Sequence, residues 1–168
     1  MAGDEGGGRG IAERALHQIA KASDGRGPAT GLSERAREYF RANNVENLIS
    51  AIYAPTMDNS RIAGFAKCVV ETAKEGDDVA REIIDEAGRE LGTAAAAVMR
   101  KLELQDQRVP VGCVGSVFNA GELLTGPMRK IIREVDAAAY LTEPQMPPSQ
   151  AAALMANNNG LNGSRIKK

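Results

Sequence analysis

Apolar residues recur every three or four positions along most of the chain, the spacing of helices that bury one face. Ile11, Ala12, Ala15, Leu16, Ile19 and Ala20 predict a helix over 11–22. Ser33 opens a second that runs to about Ala42, where Asn43 and Asn44 break the pattern. Leu48, Ile49 and Ile52 mark a short third helix over 45–54, stopped by Pro55. Asp58, Asn59 and Ser60 offer three successive caps to a fourth helix. Ile62, Phe65, Ala66, Val69, Val70 and Ala73 share one of its faces. Gly76 stands where a helix-ending glycine belongs, and Asp77 can cap the next helix. The fifth helix reads from Asp78 to Leu102, with a stripe from Val79 through Ile83, Ile84, Ala87, Leu91, Ala95 and Val98. At 1.5 Å per residue it is about 37 Å long. The run Ala94 to Ala97 makes it thin on one side, so close packing is expected there.

The pattern changes at Arg108. Val109 to Val114 is a short apolar run with Pro110 near its start, the pattern of a strand, and Gly115 and Ser116 follow it. A helical pattern resumes from Gly121 to Val135, with Pro127 expected to mark its true start or a kink. Ala137 to Leu141 is the second strand candidate, Glu143 to Pro148 a loop, and Ser149 to Ala156 a last helix. Met1 to Gly10 and Ser23 to Gly31 read as glycine-rich loops, and Asn157 to Lys168 as a disordered tail. The fold class is therefore α/β, mostly helical with two short strands. Two strands are too few for an independent sheet, so the chain reads as part of a larger α/β unit.

Composition narrows the picture further. At 168 residues there is room for one domain. Aromatics make up 4% and Trp is absent, so Ala, Ile, Leu, Val and Met must build the core. A net charge of −1 lacks the basic footprint of a nucleic-acid binder. No apolar run approaches the ~20 residues that span a bilayer. No signal sequence precedes the first helix, which gives a cytoplasmic expectation. Cys68 and Cys113 read as buried free thiols, and the single histidine, His17, makes a histidine metal site or a Ser-His-Asp triad a poor fit.

Three stretches carry candidate chemistry. In Gly3-Asp4-Glu5-Gly6-Gly7-Gly8 the glycines let backbone approach a ligand and Asp4 could hold sugar hydroxyls, although composition alone favours a frayed leader. Gly112-Cys113-Val114-Gly115-Ser116 follows a strand and precedes a helix, which puts backbone N–H groups where a nucleotide docks. A tight turn that needs small residues explains the same spacing equally well. Ala63-Gly64-Phe65 places a glycine inside a helix, at a cost of ~1 kcal/mol against alanine. Close packing is the default reading there, and a flat ring lying over Gly64 is the functional one.

Together these stretches resemble the second half of the N-acetylglucosamine kinases of the BadF/BadG/BcrA/BcrD-type ATPase family, within the actin-like, ribonuclease-H-like sugar-kinase superfamily. Gly3-Asp4-Glu5-Gly6 is similar to that family's Gly-Asp-Glu-Gly segment. Arg61-Ile62-Ala63-Gly64-Phe65, followed by Glu75-Gly76-Asp77, resembles its Arg-Phe-Ala-Gly-Phe and Glu-Gly-Asp pair. Cys113-Val114-Gly115-Ser116-Val117-Phe118 with Glu122-Leu123-Leu124 resembles its Cys-Val-Gly-Ser-Val-aromatic and Glu-Leu-Leu pattern. The resemblance covers Gly3 to about Ala156, so the domain expected is 1–156, a C-terminal, mostly helical subdomain of an actin-like ATPase.

The resemblance implies transfer of the ATP γ-phosphoryl group to the 6-hydroxyl of an N-acetylhexosamine, with Mg²⁺ neutralising the phosphates. It assigns sugar binding to Asp4 and the nucleotide site to Ala63, Gly64, Gly115 and Ser116. It also implies a preceding half with an Asp-Gly-Gly phosphate loop, an aspartate general base and a Gly-Thr-Gly turn, none of which is in this sequence. Asn119-Ala120-Gly121 is smaller than the family's usual run, so the fit to adenine is expected to be looser. No catalytic residue is assigned, and the isolated chain is expected to be inactive. A homodimer or a missing N-terminal half are the macromolecular partners left open. The alternative reading is a non-catalytic helical module, or one subunit of a split ATPase.

Overall fold

The structure is a computed structural model that describes residues 5–52 and 58–163. Its elements run α1 (Gly8–Ser23), α2 (Leu32–Phe40), α3 (Val45–Ile52), α4 (Asn59–Gly64), α5 (Ala66–Lys74), α6 (Asp78–Lys101), β1 (Pro110–Gly112), a 3₁₀ turn (Ser116–Ala120), α7 (Glu122–Arg133), β2 (Tyr140–Thr142) and α8 (Pro148–Gly163). β1 and β2 pair in parallel, with Val111 opposite Leu141. The helical periodicity therefore translates into helices nearly everywhere it occurs.

Two buried clusters hold these elements together. The larger gathers Ile11, Ala15 and Ile19 of α1, Leu32 and Phe40 of α2, Phe65 at the α4–α5 junction, Val69 of α5 and Ile84 of α6. The rings of Tyr39, Phe40 and Phe65 meet here at centroid separations of 4.8 to 5.5 Å. The smaller cluster is Met99, Met128, Ile132 and Ala139, against which Val111 and Leu141 of the sheet pack. Unbranched Met fills the irregular gap between helix pair and sheet, with Phe118 packed against the same cluster.

Four differences from the sequence reading have physical causes. The fourth helix is two helices, broken at Phe65. The Tyr39 hydroxyl donates to the Arg61 carbonyl at 2.9 Å. That carbonyl is thereby drawn out of the ladder, and the Phe65 N–H turns to the Ile62 carbonyl at 3.0 Å instead. The second strand starts at Tyr140 and not at Ala137. Buried Asp136 captures the preceding residues: its carboxylate accepts from the Ala138 N–H at 2.9 Å and the Val109 N–H at 3.4 Å. Close packing on the long helix occurs at Gly88 and Gly92, which are both buried, and within the alanine run only at Ala96 and half-buried Ala95, while Ala94 and Ala97 are exposed. Pro127 sits inside α7, so of the two expectations the helix start falls instead at Glu122.

Smaller shifts concern element ends. α1 begins at Gly8, ahead of the expected Ile11, because the Ile11 N–H already bonds to the Gly7 carbonyl at 3.0 Å. β1 is shorter than Val109–Val114, yet hydrogen bonds from Tyr140 N–H to the Val109 carbonyl and from Cys113 N–H to the Thr142 carbonyl extend the pairing at both ends. α8 continues past Ala156 to Gly163, since neither proline nor a capping turn interrupts the asparagine run. Cys68 and Cys113 are free, as expected, but only half-buried. Desolvation is the main cause that raises both thiols above their ordinary range. Among the described residues no helix is long and apolar enough to cross a membrane.

Candidate functional site

Three segments distant in sequence converge on one groove of about 610 Å³. Gly7 and Gly8 at the start of α1 form its end wall. Ala63 and Gly64 of α4 continue into Ala66, Lys67, Val70, Glu71 and Lys74 along α5. The facing wall is Val114, Gly115, Ser116 and Val117, the turn that leaves β1, with Asn119 beyond. The walls meet closely at one point: a Cβ on Gly8 would lie 3.3 Å from the Ala63 carbonyl oxygen and 3.9 Å from Cγ1 of Val117.

The turn is built for a glycine. Gly115 adopts φ 118°, ψ 159°, a region closed to residues with a Cβ. A Cβ there would meet no atom within 4 Å, so backbone geometry and not space demands glycine at this position. The Gly115 carbonyl accepts from the Phe118 N–H at 3.3 Å, which starts the 3₁₀ turn. Ser116 follows with an exposed side chain.

Gly64 is small for a different reason. A Cβ on it would collide with the Tyr39 hydroxyl, the group that holds the Arg61 carbonyl. Tight packing therefore accounts for Gly64, and the groove lies on its open side. Gly64→Ala is expected to destabilise the fold by about 2 kcal/mol through overpacking. Removing the hydroxyl as well, in Gly64→Ala/Tyr39→Phe, should recover part of that loss. A double-mutant cycle by urea unfolding checks it, and strictly additive losses would refute the contact.

α4 owes its start to Asp58. The carboxylate accepts from the Arg61 N–H at 2.6 Å and from the Ser60 hydroxyl at 2.8 Å. The Arg61 backbone hydrogen bond is the main cause that holds the Asp58 carboxyl below the usual aspartate range. Stabilisation from a depressed carboxylate is complete above its unfolded pKa and is lost as pH falls through the lower folded value. Acidification should therefore loosen α4, and with it the Ala63–Gly64 wall. Asp58→Asn should flatten the acid limb of stability against pH; an unchanged limb would assign that limb to other carboxylates.

The sequence-derived nucleotide residues Ala63, Gly64, Gly115 and Ser116 thus line one groove. Asp4 lies outside the described residues, as does Gly3. Lys67, Glu71 and Lys74 were not singled out from the sequence. Their signal was nonetheless present: with Val70 they sit at i, i+3, i+4 and i+7 on the helix that continues from Ala63-Gly64. The Glu75-Gly76-Asp77 segment is not in the groove. Asp77 caps α6 by accepting from the Ala80 N–H at 2.8 Å, and it also accepts from the Thr30 hydroxyl and the Gly31 N–H.

A model of the BadF/BadG/BcrA/BcrD ATPase family matches residues 1–156. The chain belongs to that family. Among relatives within it, an N-acetylmuramic acid/N-acetylglucosamine kinase of Clostridium acetobutylicum is 32% identical over 130 residues, which cover 77% of this chain and 42% of that protein. An N-acetyl-D-glucosamine kinase of Dictyostelium discoideum is 29% identical over 161 residues, 95% of this chain and 50% of that protein. This BadF/BadG/BcrA/BcrD chain thus spans about half the length of the curated relatives it matches. Its mostly helical architecture with a two-stranded parallel sheet is compatible with an α/β fragment of such an ATPase.

The groove has the dimensions of a small-molecule site. Its volume falls within the ~300–1,000 Å³ of small-molecule sites. Val70, Val114 and Val117 give it apolar surface, and Lys67 and Lys74 also line it. Among the described residues no group of three or more His, Cys, Asp or Glu side chains is placed to hold a metal ion by itself.

Proposed function

We infer that this chain is the C-terminal, actin-like subdomain of an ATP-dependent N-acetylhexosamine kinase and forms one wall of its adenine-nucleotide site. The observation that carries this reading is the meeting of Ala63-Gly64 and Gly115-Ser116, some fifty residues apart in sequence, across one groove. Family membership and two amino-sugar kinase relatives support it. In this reading the groove binds ATP and ADP, Asp4 contributes to the sugar site, and phosphoryl transfer requires a phosphate loop and a general base that these 168 residues do not supply.

Isothermal titration of the 168-residue chain with ADP tests the binding half of the reading. Saturable binding that is weakened at least tenfold by Gly115→Val is expected; absence of binding would defeat it. A sugar-phosphorylation assay with N-acetylglucosamine and ATP tests the rest. No turnover is expected from the chain alone, and turnover above a blank would overturn the assignment of the reactive groups to another segment.

A further inference from the structure

Glu71 is the one carboxylate among the residues that line the groove, and it stands between two ammonium groups, Lys67 at i−4 and Lys74 at i+3. A carboxylate beside a site for a polyphosphate is unfavourable by simple charge repulsion unless the ligand offers it hydrogen-bond donors. Among the described residues the Glu71 carboxylate makes no side-chain hydrogen bond within α5. Arg35 lies within its electrostatic reach, but the Arg35 guanidinium is committed to Glu75 at 2.5 Å. Among the described residues neither Lys67 nor Lys74 forms an ion pair with it, so its oxygens remain available on the groove side.

An adenine nucleotide carries only two sets of donors: the ribose 2′- and 3′-hydroxyls and the exocyclic amine. A vicinal diol presents two O–H groups side by side, which a carboxylate accepts with its two oxygens, and hydrogen bonds to a charged acceptor are the strong ones. The amine offers a single edge that a neutral amide or carbonyl reads equally well. We propose that Glu71 is the specificity residue of this groove, accepting the ribose hydroxyls and so selecting ribonucleotides over deoxyribonucleotides. Lys67 and Lys74 then serve to offset its charge against the phosphates. The inference rests on the nucleotide reading of the groove and adds to it a sugar preference and the residue that sets it.

Calorimetric titration with ADP, 2′-deoxy-ADP and IDP, on the wild-type chain and on Glu71→Gln and Glu71→Asp, tests it. Wild type should bind ADP about tenfold more tightly than 2′-deoxy-ADP, the size expected of one hydrogen bond to a charged acceptor. Glu71→Gln should bind both alike, Glu71→Asp should keep part of the preference, and IDP should behave like ADP throughout. Glu71 is exposed on the helix surface, so both variants should keep the wild-type circular dichroism spectrum. Equal wild-type affinity for ADP and 2′-deoxy-ADP, or a preference that survives in Glu71→Gln, overturns this inference while leaving the nucleotide site intact. A discrimination between ADP and IDP that disappears in Glu71→Gln assigns the carboxylate to the amine and overturns it as well. No binding of any of the three nucleotides defeats the site reading and the inference together.

Discussion

Gly88→Ala is expected to destabilise the fold by about 3 kcal/mol, although glycine to alanine inside a helix ordinarily gains ~1 kcal/mol. The reversed sign comes from the contact between α6 and α7, the most extensive helix pairing among the described residues. A Cβ on Gly88 would run into the Leu124 carbonyl oxygen and lie 2.7 Å from Cγ of Pro127. One turn later, a Cβ on Gly92 would lie 2.9 Å from the Met128 carbonyl oxygen and 3.1 Å from Cβ of Ile131. These are backbone atoms and a ring within α7, so neither side can yield by a rotamer change. Relief requires the helices to separate, which would open the Met99–Met128–Ile132 cluster beside them. Gly88→Val should cost about 5 kcal/mol, enough to unfold a domain of ordinary stability. Guanidinium unfolding checks both, with Gly112→Ala as the control. A Cβ on Gly112 meets nothing within 4 Å, so that change should stay within about 0.5 kcal/mol. A neutral or stabilising Gly88→Ala would show that the two helices are not in contact here.

Asp77→Ala should cost about 2 kcal/mol, because one carboxylate accepts from three donors in two chain segments. Its Oδ1 accepts from the Ala80 N–H at 2.8 Å and caps the 24-residue helix α6. Its Oδ2 accepts from the Gly31 N–H at 2.8 Å, and the Thr30 hydroxyl donates to both oxygens at 3.0 Å. The same hydroxyl accepts from the Leu32 N–H at 3.2 Å, so the start of α2 is tied to the start of α6. Loss of the cap accounts for ~1 kcal/mol, and the part-buried Thr30 hydroxyl left without its acceptor for the remainder, since water can reach the exposed Gly31 N–H. Asp77→Asn keeps an acceptor and should cost about 1 kcal/mol. The discriminating measurement is the cycle with Thr30→Val. Coupling of about 0.5 kcal/mol or more is expected of residues in contact, and simple additivity would reduce Asp77 to an ordinary cap.

These two sites also mark what the sequence disclosed and what it concealed. Asp77 was legible as a cap, because a short polar residue after a helix-ending glycine is a local signal. Its grip on Thr30 was not, since nothing in the spacing says which loop returns to a helix start 46 residues later. The glycines of α6 are similar. Their i, i+4 spacing was visible, yet the neighbouring alanine run looked like the closer face until α7 supplied its carbonyls. The break at Phe65 escaped the periodicity because it is imposed from outside, by the Tyr39 hydroxyl. Helices were read well because their periodicity is local. β2 was misplaced because the Asp136 turn competes for its first residues.

The groove shows the same division. Ala63, Gly64, Gly115 and Ser116 came from short segments with a recognisable pattern, and each segment lines the groove. Lys67, Glu71 and Lys74 looked like one more solvated stripe, and only the position of the facing turn distinguishes them. That Asp58, legible in the sequence only as a cap, supports the Ala63–Gly64 wall follows from the short helix it caps.

Ligands should make such a chain harder to melt even when it catalyses nothing. The groove is walled by the start of α1, by α4–α5 and by the exit from β1, so a molecule seated in it bridges parts of the chain that would separate on heating. Occupancy and heat resistance are then thermodynamically linked. At a hundred times its dissociation constant a ligand adds about 2.7 kcal/mol to the folded state. For a chain of this length that raises the melting temperature by roughly 5–10 °C. A catalytically silent protein would in this way still rank its cognate compounds in a simple melting screen.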